Sequence, residues 1–203
     1  MKNFICINGQ NIELTEKQVK EIQQSFGISN LALGNIPVGE TFKIGEYEFI
    51  VLEHSKETTA VIMKNLLENS VTFGKTCDFK TSNVKGILSK FADKISGIIG
   101  ANNLITHTVD LTSNDGLKDY GKTKEKISLL TADLYRRYVE ILDKHKLSKW
   151  WWLATPYSTP KHGYDNLTLC VAPSGYVDRT INYYYDYGVR PFCILNSNIF
   201  VSK

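Results

Sequence analysis

Apolar positions in this chain change spacing several times, and each change predicts an element. Phe4 to Ile7 reads as a short strand, turned at Asn8-Gly9 and followed by Ile12 and Leu14. Thr15-Glu16-Lys17-Gln18 matches a helix capping box, and Val19, Ile22 and Phe26 then recur at helical spacing before Gly27. Ser29 to Gly39 lacks sustained periodicity and contains Gly34, Pro37 and Gly39, so it reads as a linker. Residues 1–36 are accordingly assigned to an N-terminal strand-helix appendage and linker, and residues 37–203 to the main domain. Phe42 and Ile44, a Gly45-Glu46 turn, and alternating Tyr47, Phe49 and Val51 predict a hairpin. Thr58 to Met63 supplies a further strand. Asn83 to Ile99 carries Val84, Ile87, Leu88, Phe91, Ile95 and Ile98 at helix spacing, stopped by Gly100. Ile105 to Leu111 returns to alternation, and a second helix is predicted from about Ser128 to Leu142 on a stripe of Leu130, Leu134, Tyr138 and Ile141. After Trp150 the pattern is one of short strands broken by Pro156, Pro160, Gly163, Pro173-Ser174-Gly175 and Gly188. The order predicts an α+β fold with two helices and a loop-rich C-terminal β region.

Composition narrows the function classes. A chain of 203 residues that is 42% hydrophobic can bury a core, which argues against disorder. Its formal charge of +3 is below the balance expected of a dedicated nucleic-acid domain. From Trp150 onward the cations are Lys161, Arg179, Arg190 and Lys203, set against Asp165, Asp178 and Asp186. That near-neutral quarter nevertheless holds all 3 tryptophans and seven of the 11 tyrosines. Rigid aromatics with polar tips build binding surfaces, so recognition is expected before chemistry. The N-terminus has no signal-peptide pattern, and no apolar run is long enough for a membrane span, so a cytoplasmic or virion location without a membrane partner is expected.

Candidate chemistry is sparse. Gly116-Leu117-Lys118-Asp119-Tyr120-Gly121-Lys122-Thr123 matches the GxxxxGK[ST] phosphate loop, with Lys122 reaching phosphate and Thr123 magnesium. Thr112 to Asp115 separate it from the strand such a loop should follow, however, and a solvated turn between strand and helix is the preferred reading. His54, His107, His145 and His162 show no metal-ligand spacing, and no GxSxG elbow occurs. A pair of Cys170 with His162 lacks any sign of a positioned base. Cys6, Cys77, Cys170 and Cys193 form no CxxC pair and read as buried, reduced thiols, with a meeting of Cys170 and Cys193 on neighbouring strands left open. No catalytic residue, cofactor or metal is expected.

Trp151-Trp152-Leu153-Ala154-Thr155-Pro156, Leu169 to Gly175, and Tyr187-Gly188-Val189-Arg190-Pro191-Phe192 together resemble the layout of an uncharacterised family common in Firmicutes and their phages. That family in turn resembles the C-type-lectin-like fold of formylglycine-generating enzymes and of variable proteins diversified by retroelements. The first resemblance runs from about Glu40 to Phe200, and the fold-level one rests on the last fifty or so residues. It implies a lectin-like frame. The EPN, QPD and WND tripeptides of calcium-dependent lectins are missing, which disfavours calcium-mediated sugar binding, and neither Cys170 nor Cys193 lies in a copy of the formylglycine-generating motif. The physical reading of the motif is structural: Gly188 for a turn without a Cβ clash, Arg190 bridging backbone carbonyls, Pro191 at a strand end.

The variable-protein resemblance implies a C-terminal contact surface, and the residues similar in kind are Tyr164, Asp165, Asn166, Asp178, Arg179, Asn182, Tyr183, Tyr184, Tyr185 and Asp186. In a regular strand, Tyr183, Tyr185 and Tyr187 would share one face and Tyr184 and Asp186 the other. The function expected is a non-enzymatic binding module, phage or mobile-element encoded, with a protein partner first and a glycan second. Its N-terminal helix would serve attachment or homo-oligomerisation. Two alternatives stand beside it: an intracellular phage inhibitor of a bacterial defence or regulatory protein, and a nucleotide-binding enzyme using Gly116 to Thr123.

Overall fold

A computed structural model of the chain describes residues 3–7, 10–15, 17–19, 21–22 and 30–202. It is a mixed helix and sheet fold in which a curled antiparallel sheet packs with helices. Strands β1 (Asn3–Ile7) and β2 (Gln10–Leu14) pair antiparallel, as the alternation predicts; the turn residues Asn8 and Gly9 lie outside the described residues. The capping box forms: Thr15 Oγ1 accepts from the Gln18 N–H at 3.3 Å, and Gln18 Oε1 accepts from the Thr15 N–H at 2.9 Å. Helical residues 17–19 and 21–22 follow, while Phe26 and Gly27 lie outside the described residues.

The next strands are β3 (Asn30–Ala32), β4 (Thr41–Ile44), β5 (Tyr47–His54), β6 (Thr58–Met63) and β7 (Glu68–Thr72). Helix α1 (Asn83–Ile99) is capped by Ser82, whose hydroxyl accepts from the Lys85 N–H at 3.1 Å, and ends at Gly100 with φ of 85°. Strands β8 (Leu104–Ile105), β9 (His107–Asp110), β10 (Lys122–Glu125) and β11 (Ile127–Ser128) precede two short helices, α2 (Ala132–Arg137) and α3 (Val139–Leu142). The last strands are β12 (Trp151–Pro156), β13 (Leu167–Val171), β14 (Val177–Ile181), β15 (Asp186–Val189), β16 (Phe192–Asn196) and β17 (Phe200–Ser202).

The larger sheet runs β11-β16-β6-β5-β4-β17-β3, with β8 also on β16; the second runs β14-β13-β12-β15-β7. Both are buried on both faces where they matter most. Phe49 and Val51 enter one core cluster with α1 residues Leu88, Phe91 and Ile95, while Ile50 and Leu52 enter another with Tyr135, Tyr138 and Leu142. Trp152 and Ala154 face the first core, Trp151 and Leu153 the second. This double burial is why Phe49 to Leu52 and Trp151 to Pro156 are continuously apolar or neutral instead of alternating with charge.

Two expectations change. Residues 30–36, read as part of a linker, join the main sheet through β3, which pairs with β17, and Leu33 and Ile36 are fully buried in the larger core. The helix predicted from Ser128 starts later because Ile127 and Ser128 pair with Cys193 and Phe192, and Leu130 C=O accepts from the Ala154 N–H at 2.8 Å. Thr131 then caps α2, and Tyr138, with φ of −106°, separates α2 from α3.

Candidate functional site

The second sheet carries the aromatic quarter, and alternation sorts it onto two faces. Trp152, Cys170 and Asp178 are in register on one face; Leu169 and Arg179 share the other. On the first face Tyr187 is the hub. Its ring stacks on Trp150 (centroids 5.4 Å apart, planes 19°) and on Tyr185 (6.0 Å, 25°), and tilts over buried Trp152 at 4.9 Å. Tyr176 meets Trp150 edge to face at 5.6 Å, and Tyr184 meets Tyr185 the same way at 4.9 Å. The rings thus form a continuous row from the core contact Phe73–Trp152 out to exposed Tyr184. Burial pushes the Tyr187 hydroxyl pKa up.

Tyr183, Tyr184 and Tyr185 do not alternate. They occupy the turn between β14 and β15, where the N–H groups of Tyr184 and Tyr185 both approach Ile181 C=O at 3.4 Å, so no strand periodicity governs them. All three are exposed, at 58%, 72% and 45%. Asn182 is the exception among the predicted contact residues. It is fully buried, with its N–H donating to Asn166 C=O at 3.0 Å and its C=O accepting from Phe73 N–H at 2.9 Å. Its side-chain amide has no hydrogen-bond partner among the described residues, and its full burial withdraws it from the contact surface.

On the opposite face the Arg179 guanidinium lies 4.6 Å over the Tyr157 ring, and Tyr157 meets Tyr164 edge to face at 6.1 Å. Asp165 is exposed while its C=O accepts from Cys77 N–H at 2.7 Å. Asp178 spends one carboxylate oxygen on the Arg179 N–H at 2.8 Å, and Asp186 accepts from Ser70 Oγ at 3.2 Å. The ten predicted positions are therefore not one surface: Tyr164 and Arg179 lie opposite Asp178 and the tyrosine row, and Asn182 is interior. Trp150, Tyr157, Tyr176 and Tyr187 belong to these patches and were not singled out as contacts from the sequence. Trp150 and Trp152 flank Trp151 at the two-residue period of a strand, a signal that separates their face from that of Trp151.

Gly188 to Phe192 is interior. Gly188 sits in a strand where an added Cβ would collide with Leu66 Cδ1 and stand 2.8 Å from its Cδ2, so close packing, not a turn, favours glycine. Arg190 bonds backbone carbonyls as its fork predicts: Nε donates to Met63 C=O at 2.9 Å, and Nη2 to Lys64 at 3.1 Å and His145 at 3.3 Å. Burial lowers its pKa to about 10.

The phosphate-loop match has a different geometry from its namesake. Lys122 and Thr123 lie on β10, paired with β9, and no helix follows until α2; the match is a turn between two strands. Lys122 pairs with Asp110 at 3.0 Å and Thr123 Oγ1 donates to Glu125 at 2.7 Å. Asp115 accepts from Ser113 and Ser158 hydroxyls, each at 2.5 Å, and from His162 Nδ1 at 3.0 Å, which hold its pKa far below the usual carboxylate range. Ser158 donates to that carboxylate and not to the imidazole, so these residues clamp two loops together. A cavity of about 330 Å³ beside them is lined by Asp110, Thr112, Thr131, Asp133, Arg136 and Thr155, whose charges are paired: Arg136 with Asp133 at 2.8 Å and Asp110 with Lys122.

Cys77, Cys170 and Cys193 are buried free thiols; Cys170 lies on β13 and Cys193 on β16, in different sheets. Burial raises the Cys170 pKa to about 12, and His162 is bound to Asp115, so no cysteine–histidine pair is assembled there. Among the described residues no group of three or more His, Cys, Asp or Glu side chains converges on a metal position. Among them, no helix is long and apolar enough to cross a membrane. Comparisons with protein-family models, with curated proteins and with solved structures find no match.

Proposed function

We propose that this chain is a non-enzymatic binding module that recognises a protein through the aromatic surface of its second sheet. The observation that carries the reading is the ring row Tyr184–Tyr185–Tyr187–Trp150–Tyr176, which is exposed at its ends and anchored on buried Trp152. Surface aromatics held by neighbouring rings lose little rotamer freedom on binding, which is the property of interface anchors. Stacking also favours a protein over a glycan. Tyr185, Tyr187 and Trp150 turn their faces toward one another and present edges and polar tips, whereas sugars bind on open ring faces.

A C-type-lectin-like frame is part of the same proposal. Its support is the layout of α1, a second helical region, and a short-stranded C-terminal β region whose Gly188 to Phe192 segment is interior. Attachment or homo-oligomerisation through the N-terminal helix completes it.

The test is partner capture by the intact chain and by a variant with Tyr183, Tyr184 and Tyr185 replaced by alanine. Capture should be lost while Tm stays within a few degrees, because these side chains are exposed. Unchanged capture would remove the tyrosines from the site.

A further inference from the structure

The edge of the second sheet formed by β14 has β13 on one side and no strand on the other among the described residues. The ladder decides which of its backbone groups look outward. At one end Ala172 N–H donates to Tyr176 C=O at 2.9 Å, and at the other Asn182 N–H donates to Asn166 C=O at 3.0 Å. Hydrogen-bonded pairs alternate along an antiparallel ladder, so Asp178 and Thr180 also bond inward. Val177, Arg179 and Ile181 therefore turn their N–H and C=O groups away from the sheet. Ile181 C=O is taken by the tyrosine turn, and the Asp178 carboxylate covers the Arg179 N–H. The remaining outward groups are both of Val177, the C=O of Arg179 and the N–H of Ile181.

Such a row accepts another extended chain, and the flanking side chains say what kind. Arg179, exposed on the Tyr157 ring, stands on one face; Asp178, exposed beside the Tyr187 row, stands on the other. We propose that β14 takes up an extended segment of a partner protein as a sixth strand, with an acidic side chain beside Arg179 and basic or aromatic side chains on the Asp178 face. A peptide carbonyl replaces the Asp178 carboxylate at the Arg179 N–H, which frees that carboxylate for the basic side chain. A second copy of the chain is a poor occupant, because a twofold pairing centred on β14 sets Arg179 directly against its own copy. The inference rests on the protein-recognition reading above and adds the geometry of the partner.

The test begins with random heptapeptides displayed on phage and selected on the intact chain. Enriched sequences should alternate an acidic residue with basic or aromatic ones. A synthetic enriched heptapeptide should slow amide exchange at Val177 and Ile181, and should weaken about tenfold or more in Arg179→Pro, the loss expected when edge hydrogen bonds cannot form. Proline at that outward position leaves the inward ladder intact; should the variant melt early, the same peptide with N-methylated alternate amides makes the equivalent test from the ligand side. No enrichment, or peptides that bind equally well to Arg179→Pro and in N-methylated form, overturns strand addition. A dimer of this chain that Arg179→Pro dissolves also overturns it, in favour of a second copy. Binding that survives Arg179→Pro but is lost in the Tyr183, Tyr184, Tyr185 alanine variant refutes the edge and leaves aromatic recognition standing. The converse keeps the edge and refutes the tyrosines.

Discussion

Tyr187 lies flat on Trp150, with ring centroids 5.4 Å apart and planes 19° apart, and it also contacts Trp152 and Tyr185. One half-buried tyrosine thus ties the exposed turn to the core, and its removal has a different consequence from removal of the tips. Tyr187→Ala should cost about 2–4 kcal/mol, from lost burial and ring contacts. Tyr184→Ala, at an exposed tip, should stay within about 0.5 kcal/mol. Urea unfolding of the two variants measures both.

Gly188→Ala is expected to cost about 1–2 kcal/mol, the range for overpacking that a flexible neighbour partly relieves. The new methyl would meet Leu66 Cδ2 at 2.8 Å and Cγ at 3.0 Å. Leu66→Ala should therefore offset part of the Gly188→Ala loss, and a double-mutant cycle in urea gives the sign of that coupling.

Arg190→Lys should destabilise by about 2–4 kcal/mol, even though the charge is kept. The guanidinium serves Met63, Lys64 and His145 carbonyls at once, and an ammonium cannot reproduce that fork. Thermal melting monitored by circular dichroism is sufficient to see it.

Acid should weaken the fold through His107. Burial holds its pKa below 6.5, against smaller upward pulls from the Ile105 backbone and Glu125, and Nε2 bonds Ser128 Oγ at 2.9 Å. As pH falls below about 6.5 the unfolded chain takes up a proton more readily than the folded imidazole does. This group's contribution to stability is therefore full above that pH and is lost progressively as pH falls from there through the lower folded pKa. Urea midpoints at about pH 7.5 and 5.5 should differ in the parent and differ less in His107→Gln; equal differences would refute the assignment.

The elements legible in the sequence are those whose hydrogen bonds close locally. Asn83–Ile99 is helical between its caps Ser82 and Gly100 because cap, apolar stripe and terminator all lie within one segment. The hairpin at Gly45-Glu46 and the Thr15–Gln18 capping box follow for the same reason. Where a remote strand competes for the same backbone, local pattern loses. Ser128 pairs with Phe192 and so cannot start a helix, and Leu33 and Ile36 reach the core by way of the β3–β17 pairing.

The candidate surface divides in the same way. The sequence by itself determined that the last quarter is aromatic and nearly neutral, that Arg190 would seek carbonyls, and that Tyr183 to Tyr185 stand together. Only the tertiary structure decided that those tyrosines occupy a turn and are all exposed, that Asn182 faces inward, and that Arg179 and Asp178 look to opposite sides of a strand whose outer edge is open among the described residues. Side-chain type depends on one position alone, whereas burial, stacking and a free edge depend on which distant strands arrive, and those partners are set by the packing of the two cores.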